Sequence, residues 1–172
     1  MDVSAASLPY RSYPTKEAQQ GRGYPQPLLS LSMEATDYAE MSDLSLMALA
    51  AYREARGESF DGKRGVCHVI QNRANKPGWW GRDIKSVILK PYQFSSFLDS
   101  DPNSIIWPMD TNPAWIQCLS AASAVVVGDD PDLTDGALYY HDSSITFPKA
   151  WGPESNYIKT LVVGRLSFYR PL

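Results

Sequence analysis

With 172 residues, 44% of them hydrophobic, the chain is long enough to bury one substantial core, and a single globular domain is expected. A formal net charge of -3, a pI near 5.3 and basic residues scattered along the chain leave no footprint for nucleic acid. Two cysteines, Cys67 and Cys118, without CxxC spacing exclude a disulfide framework and a zinc module, and no segment stays apolar long enough to insert in a membrane.

In chain order, residues 1–41 come first, with Pro9, Pro14, Pro25, Pro27, Gln19, Gln20, Gly21 and Gly23 but no sustained apolar period. They read as an extended arm. Met1-Asp2-Val3-Ser4 opens without the basic and apolar stretches of a secretory leader, so no signal peptide is expected. Residues 42–172 read as the folded domain. Leu44, Met47, Ala48, Ala51 and Ala55 recur at helical spacing, Ser42 or Asp43 suits the N-cap, and Gly57 suits the residue past the C-cap. A loop over 57–62 leads to an antiparallel helix over 63–75, carried by Val66, Val69, Ile70 and Ala74 and closed by Pro77-Gly78. Asp83 caps a short helix with Ile84, Val87 and Ile88 that Pro91 stops; 93–112 reads as irregular, and 113–127 as a helix between Pro113 and Gly128. Ala137 to Tyr140 is strand-like, and 160–163 and 165–169 flank Gly164 as a hairpin. The fold class is α+β, mainly helical, with a small antiparallel β element.

Glu54 falls in the last turn of the first helix, on a largely apolar segment. Partial burial and the negative end of the helix dipole both favour its protonated form, which makes it a candidate general acid near neutral pH. A surface glutamate paired with a neighbouring arginine is the plainer alternative. Gly57 to Lys63 fits the start of a phosphate-binding loop, but Arg64 stands where a magnesium-ligating hydroxyl is needed, and Glu58 and Asp61 would repel phosphate. Cys67 lies on an apolar helix with nothing to lower its pKa, and His68 and His141 have no paired spacing, so neither a thiol nucleophile, a metal nor any other cofactor is expected. Trp79, Trp80, Tyr92, Phe94, Trp107, Tyr139 and Trp151 fall mostly in loops or at strand ends, where sugar rings stack, with Gln93 and Asn72 as hydrogen-bonding neighbours. Ordinary packing is the competing reading, for Trp115 above all.

Four blocks in order, YREARGE at 52–58, VCHVIQNR at 66–73, PYQFS at 91–95 and GALYYH at 136–141, resemble the cell-wall hydrolase family typified by the spore cortex-lytic enzymes. The resemblance covers about Leu46 to Arg170. It implies a lysozyme-like, lytic-transglycosylase-like domain that cleaves peptidoglycan glycan strands, with Glu54 as the essential acid and Glu58, Asn72, Gln93, Phe94, Ser95, Tyr139, Tyr140 and His141 lining the cleft. Two departures stand out. Arg53 occupies a place usually held by a small residue and can alter the surroundings of Glu54, and Leu166 stands near Gly164 where a histidine is expected. A second carboxylate, if hydrolysis requires one, has Glu58 and Asp61 as local candidates. The expected setting is a phage endolysin or a virion-borne lysin, acting from the infected cytoplasm or the particle, with residues 1–41 as a strap to virion proteins. The competing class is an assembly protein that retains the fold.

Overall fold

The computed structural model describes Tyr38 and residues 40–172. The expected arm thus lies outside the described residues except at its end, where Tyr38 is packed into the core. Helix α1 spans Asp43–Ala55, and the Ser42 hydroxyl caps it by accepting from Ser45 N at 3.1 Å. Every residue from Leu46 to Arg53 is buried, so α1 is the central helix, and its alanines let neighbours approach from all sides. Gly57 does not use its conformational freedom: Arg56 stays right-handed, and its N–H returns to Tyr52 O at 3.1 Å.

Helix α2 spans Phe60–Asn75, three residues earlier than the apolar spacing suggests, because Ser59 Oγ accepts from Gly62 N at 3.3 Å and starts the helix there. The expected loop shrinks accordingly. A capping box between Asp83 and Ser86 opens α3, Ile84–Leu89. Asn112 caps α4, Pro113–Val127, and Gly128 ends it at φ 85°. Helices α1, α2 and α4 pack on one another, with α3 against the first two. Between α3 and α4 the chain makes two 3-10 turns, Ser95–Phe97 and Pro102–Ile105.

Three strands complete the domain: β1 Tyr139–Asp142, β2 Tyr157–Val163 and β3 Leu166–Pro171, antiparallel in the order β1-β3-β2. β1 starts two residues later than expected, although Leu138 N already donates to Tyr169 O at 2.9 Å. The sheet meets α2 at Gly65, where an added Cβ would lie 2.5 Å from the Phe168 ring. Only a glycine lets the helix come so close. Strand periodicity then divides β1: Tyr140 and Asp142 share a face with the buried Phe168 and Leu166, while Tyr139 and His141 share the other with Tyr169 and Ser167. Leu166 fills its place as a core residue.

Candidate active site

Glu54 stands one residue before the end of α1, half-buried. Its two oxygens are held from opposite directions in the chain: Ser96 Oγ donates to Oε1 at 2.7 Å, and the Tyr140 hydroxyl donates to Oε2 at 3.0 Å. Burial is the dominant influence and holds the carboxyl above the usual carboxylate range; Asp101 pushes the same way, while the two hydroxyls and Arg53 pull it back. Tyr140 is itself pushed well above an ordinary phenol, by burial and by Glu54, and therefore stays a neutral hydroxyl. Both partners can donate to a carboxylate or accept from a carboxylic acid, so the pair can follow Glu54 through a proton cycle.

A second buried group organises the surroundings. Arg73 donates from Nε to Leu138 O at 2.8 Å and from Nη1 to Gln93 Oε1 at 3.4 Å, with its guanidinium 5.5 Å from the Phe94 ring centroid and 5.9 Å from that of Tyr139. Burial lowers its pKa, which Tyr140, Tyr139 and Glu54 partly offset, and an arginine remains charged throughout. One cation thus ties the Gln93-Phe94 segment to the start of β1.

The expected cleft residues separate into groups. Tyr140 reaches Glu54; Gln93, Phe94 and Tyr139 gather around Arg73, although Phe94 is only 2% exposed and packs in the core rather than facing a ligand. Asn72 is spent on the segment before β1, donating to Asp132 Oδ2 at 2.8 Å and Ala137 O at 3.1 Å. Ser95 is exposed and bonds Asp101, and it is the next residue, Ser96, that touches Glu54. Glu58 is engaged by the β2–β3 turn: Oε2 accepts from Arg165 N at 3.1 Å and Oε1 from Arg165 Nε at 3.2 Å. His141 also takes part in packing. On the face opposite Tyr140 it stacks on Tyr169 at 5.3 Å, and its ring nitrogens meet the Tyr169 hydroxyl and Asp142 O. Phe147, Trp151 and Tyr157 extend that aromatic cluster.

Neither expected second carboxylate faces Glu54 in these contacts, since Asp61 is exposed and paired with Arg64 at 2.8 Å. The carboxylate that acts on Glu54 is Asp101, held ionised chiefly by the Ser95 hydroxyl and by Asn103 N at 2.8 Å. No spacing rule marked Ser96, Arg73 or Asp101, because each reaches the site from a different element. Lys63, the lysine of the phosphate-loop-like stretch, is buried and donates to Glu58 O. Cys67 and Cys118 are buried free thiols, the second pushed up to about 12 by burial. Among the described residues no group of three or more His, Cys, Asp or Glu side chains is placed to hold a metal.

Residues 57–169 match the model of the family described as cell wall hydrolase. Glu54 stands three residues before that span. The spore cortex-lytic enzyme of Bacillus subtilis is 33% identical over 112 residues, covering 64% of this chain and 33% of the relative. That of Halalkalibacterium halodurans is 35% identical over 99 residues, covering 58% and 27%. The chain therefore spans about a third of the length of these curated relatives. In structure, the catalytic domain of the germination-specific lytic transglycosylase SleB from Bacillus anthracis superposes with a TM-score of 0.58 at 26% identity, over 76% of this chain and 98% of that one. The Bacillus cereus SleB catalytic domain gives 0.55 at 27% identity, over 74% and 89%.

Proposed function

The chain belongs to the cell wall hydrolase family, and on that premise we propose that it cuts peptidoglycan glycan strands between N-acetylmuramic acid and N-acetylglucosamine as a lytic transglycosylase, with Glu54 as the catalytic acid. One observation carries this reading: a carboxyl that burial pushes above the usual carboxylate range, held between two hydroxyls that can reverse their hydrogen bonds. Glu54 gives its proton to the glycosidic oxygen as the bond from C1 of the muramic acid breaks. It then takes the proton of the C6 hydroxyl of that same sugar as O6 bonds to C1. The product is a 1,6-anhydro ring, the carboxyl ends as it began, and no water is consumed. Because the attacking hydroxyl belongs to the substrate, its effective concentration is high without a second protein carboxylate.

Asp101 supports a second reading, muramidase-type hydrolysis, because its carboxyl is held below the usual range while that of Glu54 is pushed above it. Purified sacculi separate the readings. Transglycosylation releases muropeptides lighter by one water than hydrolysis products, and hydrolysis yields reducing ends and fails in Asp101→Asn. In either case Glu54→Gln abolishes solubilisation while the circular dichroism spectrum is retained. A Glu54→Gln variant that still dissolves sacculi overturns the assignment of the acid, whereas a wild type that leaves sacculi intact returns the chain to the class of assembly proteins. Delivery by a phage, as endolysin or virion-borne lysin, is part of the same proposal, with residues 1–41 as the docking strap of a virion component. Removing residues 1–37 then spares cleavage by an endolysin but prevents incorporation of a virion component.

A further inference from the structure

Arg53 precedes the proposed acid in α1, and its side chain is buried, the whole residue being 4% exposed. Its guanidinium donates to three carbonyls of the segment between α3 and α4: Nη1 to Ser96 O at 2.9 Å, Nη2 to Ser104 O at 2.6 Å and Nε to Ile106 O at 3.3 Å. The rings of Phe97, Trp107 and Tyr38 surround it with centroids at 4.8, 5.0 and 5.5 Å, and the Tyr38 hydroxyl lies 3.3 Å from Nη1. Its partners are carbonyl dipoles and ring faces rather than a carboxylate.

That segment consists of two 3-10 turns without strand pairing, so the guanidinium is the hub on which its backbone is folded. Ser96 gives its carbonyl to Arg53 and its hydroxyl to Glu54. A closed ring of contacts thus runs from one α1 residue, through the loop, to the next. We propose that Arg53 is a positioning residue for Glu54, acting through Ser96. The proposal rests on Glu54 being the acid. A fork of five fixed donors can set three carbonyls at once; a lysine ammonium carries the same charge but not that geometry. Holding a hydroxyl at 2.7 Å from a carboxyl oxygen requires the supporting backbone to be fixed to a few tenths of an ångström.

The test follows the carbon-13 resonance of the Glu54 carboxyl against pH in the wild type, Ser96→Ala, Arg53→Lys and the double variant, beside kcat on sacculi. The groups acting on Glu54 are Ser96, Tyr140, Asp101, Arg53 and, in the field that reaches Arg73, Arg73. Ser96→Ala raises the titration midpoint and lowers kcat by about tenfold. Arg53→Lys, with charge preserved, moves both the same way, and the double variant goes no further than Ser96→Ala alone. A folded Arg53→Lys protein with the wild-type midpoint, or shifts that add in the double variant, overturns the proposal. Should Arg53→Lys fail to fold, Tyr38→Phe takes one partner from the guanidinium and keeps the ring, and it must raise the midpoint by a smaller step; an unchanged midpoint overturns the proposal. The resonance needs no turnover. A wild type that leaves sacculi intact therefore refutes the proposed function while this test stays readable.

Discussion

Replacing Tyr140 by phenylalanine removes one oxygen from the site and little else. The ring is packed at 5.8 Å from Phe168, on a β1 position paired with that residue, so the phenylalanine ring keeps its seat. What is lost is the donor 3.0 Å from Glu54 Oε2. A hydrogen bond to an ionised acceptor contributes about 1.5–3 kcal/mol, against about 1 kcal/mol for a neutral pair, so the variant destabilises the ionised carboxylate more than the acid, by about 1–2 kcal/mol. In the proposed cycle Glu54 is ionised after the glycosidic bond breaks, and that state loses the stabilisation. The expected result is a kcat lower by about fivefold to thirtyfold with KM little changed. The sign of the pH effect is fixed as well. Glu54 must be protonated to start the reaction, the hydroxyl favours its ionised form, and removing it raises the pKa; the alkaline limb of kcat/KM therefore moves to higher pH. Turbidity clearance of sacculi across a pH series measures both. An alkaline limb that stays put or moves down, in a folded variant, refutes the reasoning.

Three other substitutions probe the same architecture. Because the folded pKa of Glu54 lies above its ordinary value of 4.5, its contribution to stability is fully present below that value and is lost as pH rises through the folded pKa. Glu54→Gln should thus melt higher than the wild type on the alkaline side, with the gap closing at acidic pH; a gap that widens on acidification contradicts the burial argument. Gly65→Ala gains about 1 kcal/mol of helix propensity but forces a methyl to within 2.5 Å of the Phe168 ring, which is fully buried, at a cost of about 1–3 kcal/mol. Thermal unfolding at or below the wild-type midpoint, with weakened cleavage as displacement of β3 draws its β1 partner Tyr140 away from Glu54, is the expected outcome. Glu58→Ala frees the Arg165 N–H and guanidinium and should lower stability by about 1 kcal/mol while leaving kcat/KM of the folded protein unchanged, whereas a cleft residue would raise KM.

The helices were legible because each carries its own punctuation. Asp83, Asn112 and Gly128 end or begin elements through side-chain caps and a left-handed glycine, and these act within a few residues. Where an apolar pattern was read without its cap, at Ser59, the helix start was placed late. Glu54 was legible from local rules too, since burial in the final turn of an apolar helix raises a carboxyl wherever it occurs. Of its partners, Tyr140 stands in the cleft set that the resemblance implies and Ser96 does not. Ser96 and Tyr140 arrive over sequence separations of 42 and 86 residues, and neither adjacent serine at 95 and 96 carries a mark saying which hydroxyl turns inward.

The block GALYYH shows most clearly why motif proximity misleads about site geometry. In a strand, adjacent residues point to opposite faces, so Tyr139, Tyr140 and His141 cannot all line one side of a trench. Pairing of Tyr140 with Phe168 puts it on the core face and in reach of Glu54; Tyr139 and His141 then belong with Tyr169 and Trp151 on the outer face. Gly65, whose missing side chain lets Phe168 seat against α2, holds that face of the sheet on the helix. A one-residue slip of β1 would aim Tyr139 or His141 at Glu54 instead and take the Tyr140 hydroxyl away from Oε2. The register of β1 on β3 is therefore what places a hydroxyl, rather than a ring nitrogen, beside the carboxyl of residue 54.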